Sequence, residues 1–259
     1  MLTNHSGHRA VENPPPDCNR LLESLLVMTP EAIGNHFELV LHRSRRAVRE
    51  IRGKPGWVHF PVRGALSVLR NAGRADGIEV ALVGRRDMTG FPWQADKDSW
   101  REISFIPHDG ARSLRIRTDR LEVLLDETPG APQRMSRYLG ESWLKLAINL
   151  SCLRNHAIDK RLARWLVHML DHYPGREVKV TQQLLAQLLG VRRGSISAAA
   201  GSLQDCGIIR YSRGVIRVVS RQALAEAACD CCRTHREIGT EKMGASVVGA
   251  KLVQMGEKS

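Results

Sequence analysis

Arg192 and Arg193 stand just ahead of two small hydroxyl residues, Ser195 and Ser197, at the start of an apolar-periodic segment. A guanidinium offers a planar fork that matches phosphate oxygens and the O6/N7 edge of guanine. A helix N-terminus adds unpaired N–H groups and the positive end of the helix dipole. Residues of these types in this place can hold a polyanion and read a base. The plainer reading is two solvated arginines on a buried helical pair, so the flanking elements must decide.

Those elements run in a fixed order. Thr181 is placed as an N-cap, with Gln182 behind it, and Leu184, Leu185, Leu188 and Leu189 share one helical face. Gly190 follows the last Leu, where a left-handed residue closes a helix. Ile196, Ala199, Ala200 and Leu203 make a second amphipathic helix that ends at Gly207. The runs 208–211 and 215–219 read as strands around Ser212-Arg213-Gly214. Two helices about three residues apart, then a hairpin, form a helix-turn-helix with a wing. Arg192, Arg193, Ser195 and Ser197 are then the candidates for contact with phosphate or base, and Arg210, Arg213 and Arg217 add wing charge.

Composition agrees. The chain has 259 residues, 42% of them hydrophobic, and a formal net charge of +12. Such a surplus favours an acidic polymer as partner, most simply double-stranded DNA. No apolar run reaches the ~20 residues of a membrane span, and residues 1–17 lack the apolar core of a secretory signal. A cytoplasmic protein with no membrane partner is expected.

The six cysteines are Cys18, Cys152, Cys206, Cys229, Cys231 and Cys232, too scattered for a disulfide framework. Cys229-Asp230-Cys231-Cys232, with His235 close by, could hold a soft metal, but no second pair stands at zinc-finger spacing. The expectation is therefore a frayed segment with incidental thiols, without metal or cofactor.

Upstream, a polar arm (1–18) ends near Pro14-Pro15-Pro16 and is expected to be disordered or extended. Short helices are expected at Asn19 to Leu26 and from Thr29-Pro30-Glu31 to Phe37. Short strand-like runs at 57–60, 65–69, 78–83, 103–106 and 114–116 suggest a sandwich or barrel. The basic run from Arg43 to Lys54 reads as a solvated strand edge. A helix opens at Thr118 and breaks at Pro129 and Pro132. A long amphipathic helix, 133–155, carries Met135, Leu139, Trp143, Leu146, Ile148, Leu150 and Leu153. Its stripe either pairs two subunits or packs on its own domain; periodicity alone leaves both open. A helix over 158–173 and a strand over 177–180 lead into the motif, and a last helix is expected from Ser220 to about Cys232.

The order of β-rich domain, long helix, second helix and winged helix-turn-helix resembles the bacterial regulators that include the catabolite activator and Fnr proteins, the Crp/Fnr family. Three stretches carry the likeness: Trp57-Val58-His59-Phe60-Pro61 to Gly64 with Glu79 to Gly84 and Gly90; Asp159 to Leu166; and the winged motif itself. The resemblance implies an α+β chain. It would comprise a cyclic-nucleotide-binding-like β-roll (jelly-roll) sensor domain at 19–132, a dimerisation helix at 133–155, a DNA-binding domain at 156–233 and a mobile tail at 234–259.

It also implies a homodimeric, non-enzymatic transcription regulator that binds an inverted-repeat operator, with RNA polymerase as a further partner. The likeness implies that Arg193 reads bases, with Ser197 a weaker candidate, while Thr181, Gln182 and Ser195 touch the phosphate backbone. Within that pattern the family's acidic and second basic recognition residues are replaced here by Gly194 and Ala198. Gly90 is followed by Phe91 and Arg101 by Glu102, where the family's nucleotide binders carry Gly-Glu and Arg-Ser. Cyclic-nucleotide binding is therefore not expected, although a cyclic-nucleotide-responsive regulator stays an alternative. So does a winged helix that binds protein. An enzyme on the β-roll would need a metal-ligand motif that His59, Glu79 and His108 do not form.

Overall fold

The structure is a computed structural model and describes residues 8–10, 18–26, 36–42, 56–71, 77–90, 103–173 and 175–238. Its N-terminal half contains β1 (His8–Ala10), α1 (Arg20–Leu25), β2 (Glu38–Leu41), β3 (Trp57–Arg63), β4 (Leu66–Arg70), β5 (Ile78–Val83), β6 (Ile103–Pro107), β7 (Arg112–Arg117) and α2 (Thr118–Glu127). Two antiparallel sheets form the roll, one ordered β1-β2-β7-β3 and the other β5-β4-β6.

Period-2 alternation explains how the first sheet is covered on both faces. Val58, Phe60, Val62, Leu114 and Ile116 point to one side and pack with α1 and α2. His59 and Ser113 point to the other, where His59 Nδ1 lies 3.0 Å from Ser113 Oγ and the His59 ring stands 4.9 Å from that of Phe105 on the opposite sheet. His59 is thus buried inside the roll, whereas His108, also buried, lies at the seam with the helix that carries Trp165, its Nε2 2.7 Å from Ser67 Oγ and its ring 5.7 Å from that of Trp165.

α3 (Ala131–Asn155) follows, opened by Gly130 in a left-handed conformation (φ 76°). Pro132 sits in its first turn, where a missing N–H costs nothing. Pro132 therefore starts this helix rather than breaking the one before it. The stripe of α3 divides. Met135 and Tyr138 are buried against the roll, whereas Trp143, Leu146, Leu150 and Leu153 are exposed, Trp143 by 71% and Leu150 by 68%. Packing on its own domain therefore holds for the first half of the stripe, while the second half is left uncovered.

The remaining elements are α4 (Ile158–His172), β8 (Glu177–Lys179), α5 (Gln182–Leu188), α6 (Arg193–Asp205), β9 (Ile209–Ser212), β10 (Val215–Val218), α7 (Arg221–Ala227) and α8 (Cys231–Glu237). β8, β10 and β9 form a third antiparallel sheet, in that order. Leu162, Trp165, Leu166, Met169 and Leu170 of α4 share one core with α5, α6, the small sheet and Leu224 of α7. Ala65, Leu69 and Ile106 of the roll belong to the same core, so the two halves are docked.

Several expectations need correction. His8–Ala10, inside the arm expected to be disordered or extended, is extended and pairs with β2, so that part of the arm is not disordered. The last helix is two helices, because Ala228 adopts an extended conformation (φ −72°, ψ 161°). Order also continues past 233, since α8 runs to Glu237. The helix expected from Thr29, the basic run from Arg43, the residues Phe91, Arg101 and Glu102, and the tail from 239 lie outside the described residues. No helix among the described residues is long and apolar enough to cross a membrane.

The docking seam contains a buried carboxylate. Glu79 accepts from Ser67 Oγ and from Trp165 Nε1 (3.1 Å), with His108 and Arg164 as the nearby titratable groups. Burial raises its pKa above the ordinary 4.5, and the hydrogen bonds and Arg164 only partly offset this. A raised carboxyl pKa stabilises the fold fully below about pH 4.5, and that contribution is lost as pH rises through the folded value. Glu79→Gln should therefore flatten the fall in stability on the alkaline side of pH 4.5, measured as urea midpoints across a pH series.

Candidate nucleic-acid interface

Each helix of the motif is closed by the same device. At the end of α5, Gly190 (φ 64°) lets its N–H reach Gln187 O (3.1 Å) while Val191 N–H reaches Ala186 O (2.9 Å). At the end of α6, Gly207 (φ 68°) does the same, bonding Gln204 O (2.8 Å), with Ile208 N–H on Leu203 O (2.9 Å). These are paired Schellman closures, which fix where the chain leaves each helix. Leu185 and Leu188 of α5 then meet Ile196, Ala199, Ala200 and Leu203 of α6 in the buried core. The small Ala side chains permit the close approach.

Thr181 caps α5, its Oγ1 accepting from Leu184 N–H at 3.1 Å. Arg192 stands at the N-cap of α6, and no side chain caps that end. Its first N–H groups are left to solvent or to an anion. Arg192, Arg193 and Ser197 are exposed, Ser195 is half-buried, and Gln182 is half-buried in the first turn of α5.

The wing is tied to the entry of α5 and to the far end of α6. Val180 N–H bonds Gly214 O (2.8 Å), and Tyr211 Oη donates to Val180 O (2.8 Å). Gln204, near the C-terminal end of α6, accepts from Tyr211 N–H (2.6 Å). The charge of Arg193 partly offsets the rise that burial causes in the Tyr211 pKa. The wing is thus fixed relative to both helices of the motif. Gln204 and Tyr211 carry no local signal in the sequence, because their contacts run from helix to strand.

The wing loop is tighter than the expected Ser212-Arg213-Gly214. Ser212 pairs directly with Val215, which leaves a two-residue loop of Arg213 (φ 49°) and Gly214 (φ 76°). Two positive φ values make a type I′ turn, whose twist suits a hairpin. Arg217 does not present a bare charge, since its Nε donates to Glu177 Oε1 at 2.8 Å. No ion pair among the described residues engages Arg192, Arg193 or Arg213.

The exposed face of α6 is nearly bare. Gly194, Ser197, Ala198 and Ser202 are exposed, and a Cβ added at Gly194 or Gly201 would meet nothing within 4 Å. The helix backbone can therefore come close to whatever it faces.

Residues 160–227 match the model of the Crp-like helix-turn-helix domain. Solved regulators share the wider architecture. FixK2 from Bradyrhizobium japonicum superposes with a TM-score of 0.59 at 16% identity, over 74% of this chain and 98% of that one. A CooA mutant from Carboxydothermus hydrogenoformans gives 0.56 at 14% identity, over 84% and 98%. A Crp/Fnr-family transcriptional regulator from Thermus thermophilus gives 0.56 at 14% identity, over 73% and 97%. No curated protein matches the chain in sequence. Residues 160–227 are thus a Crp-like helix-turn-helix domain, a DNA-binding motif, and the chain as a whole, with its cyclic-nucleotide-binding-like roll, shares the fold of these solved structures.

Arg213 occupies the left-handed region at a cost of about 1 kcal/mol, which Asn largely avoids. Arg213→Asn should raise the unfolding free energy by up to that amount, read by urea titration.

Proposed function

We propose that the protein is a homodimeric, sequence-specific transcription regulator acting on promoter DNA in the cytoplasm, through an inverted-repeat operator. The observation that carries this is the uncapped, exposed Arg192-Arg193 start of α6 in a helix-turn-helix whose wing is bonded to the entry of α5 and to Gln204 of α6. Arg193 reads a guanine edge, with Ser197 one turn on. Arg192, Ser195, Thr181, Gln182 and Arg213 hold phosphates and set register. The small residues at Gly194, Ala198 and Ser202 add few base contacts, so phosphates and duplex shape carry much of the affinity.

Trp143, Leu146, Leu150 and Leu153 recur at a spacing of three and four, the seam of a two-helix coiled coil. They leave an apolar stripe uncovered on the outer half of α3, and a second copy of the same helix covers it best. Two-fold pairing there sets two copies of α6 about one duplex turn, ~34 Å, apart. The working units are the roll at 19–132, the dimer helix at 133–155 and the DNA-binding domain at 156–233. Output follows from contact with RNA polymerase or from blocking it.

In fluorescence anisotropy on the chain's own upstream DNA, Arg193→Ala should erase preference for the operator over random duplex and leave weak salt-sensitive binding. Equal loss on both duplexes would remove its base-reading role. Leu150→Glu should convert dimers to monomers in sedimentation velocity while far-UV circular dichroism stays unchanged. A Leu150→Glu protein that remains dimeric would place the subunit interface elsewhere.

A further inference from the structure

Four donor groups converge where α3 ends. Cys152 lies on its last turn and His156 is its C-cap, the His156 N–H bonding Cys152 O at 3.1 Å. Cys229 comes from the bend between α7 and α8, and Cys231 is the first residue of α8. One donor atom from each lies within 4.8 Å of every other. Cys152 Sγ and Cys229 Sγ are 3.5 Å apart, and Cys231 Sγ is 3.7 Å from His156 Nδ1.

These separations suit one small ion. Ligands at about 2.3 Å (sulfur) and about 2.0 Å (nitrogen) from a tetrahedral centre stand roughly 3.5–3.8 Å apart. A disulfide needs about 2.05 Å and only two of the four groups. Cys152 and Cys229 are buried and the other two are half-buried, so the ion would be largely withdrawn from water. Three thiolates and an imidazole are soft to borderline donors, which favour zinc and offer nothing to magnesium or calcium. Three thiolates around a divalent ion leave one negative charge, and the positive charge of Arg164 already acts on Cys229, as that of Arg161 and Cys152 act on each other. The other cysteines stand apart: Cys232 is buried in the shared core and Cys206 is exposed at the end of α6.

We propose that Cys152, His156, Cys229 and Cys231 bind one zinc ion that pins the C-terminal α7–α8 bend to the end of α3. His156-Ala157 is the stretch of chain that joins α3 to α4, so this ion would brace the joint between the long helix and the winged domain. Cys229-x-Cys231 looks incidental alone because its partner ligands lie more than seventy residues upstream. The site stands independently of what the protein does with DNA.

The test uses the untagged full-length chain purified without chelator. Elemental analysis should give one zinc per chain, and a mercurial should release it in one step to a chromogenic chelator. Cobalt-loaded protein should show the visible bands of tetrahedral thiolate coordination. Cys229→Ser and Cys231→Ser should lose the ion, whereas Cys18→Ser and Cys206→Ser should keep it. His156→Cys preserves four soft donors and should also keep it, which covers the case in which a serine variant fails to fold. Removing the ion should release hydrogen-exchange protection in α8 and the last turn of α3. Metal-free protein with six titratable thiols, a Cys152–Cys229 disulfide detected by mass, or stoichiometric iron and sulfide would each overturn the assignment. Unchanged exchange on metal removal would overturn the bracing role.

Discussion

Burial of one face of α4 is the constraint on which the other elements depend. Leu162 and Leu166 are fully buried there, with Trp165, Met169 and Leu170 beside them. Each such side chain contributes about 1.5–3 kcal/mol when taken from water. No single neighbour could cover that face. It is shared among α5, α6, the three-stranded sheet, α7 and the outer side of the β4-β5-β6 sheet. Satisfying it therefore orients the DNA-binding helices and docks the roll in the same step. Trp165 makes the coupling explicit, since its ring lies in the shared core while its N–H reaches the buried carboxylate of Glu79. A polar bond at that place also fixes register, because an unpaired buried carboxylate is costly.

The interface uses its charges sparingly. Formal charge over the chain is +12, yet Arg217 and Lys179 on the small sheet are held by Glu177 and Asp109. Exposed pairs like these contribute little to stability, but they lower the local charge. Among the described residues, Arg192 and Arg193 at the uncapped start of α6 and Arg213 at the wing tip carry no such pair. Field and geometry thus point to the same motif, which is stronger support for a binding role than net charge alone.

Much of this was legible from local pattern. The caps at Thr181, Gly190 and Gly207, the α4 stripe and the strand runs of the roll each depend on residues within a few positions. They stand where spacing places them. What stayed hidden depended on distance along the chain or on competition between neighbours. Pro132 reads as a breaker until the left-handed Gly130 turns the chain into a new helix. The hairpin loop looks long because Arg213 is an unusual occupant of a left-handed position. The halves of the α3 stripe look alike in sequence, and only the reach of α1 and α2 determines that Met135 is covered and Leu150 is not. The likeness of His59 and His108 to ligands dissolves once Ser113 and Ser67 satisfy them.

The joint between α3 and α4 carries the greatest mechanical demand. On one side lies a helix whose inner half is fixed to the roll by Met135 and Tyr138, the Tyr138 hydroxyl accepting from Met88 N–H at 3.1 Å. On the other lies a rigid domain organised on α4. Two residues connect them. A short joint between stiff bodies transmits rotation only if its angle is restrained, since otherwise any shift in the roll is absorbed locally. Asn149 Nδ2, bonded to Val80 O at 2.9 Å, and Arg164, bonded to Asn149, restrain it from the roll side. The packing of α8 near Cys152 and His235 beside His168 restrain it from the other. The same joint therefore holds the buried polar groups, the thiol cluster and the end of the uncovered stripe. A change at any of these would alter how the winged domain is held relative to the roll.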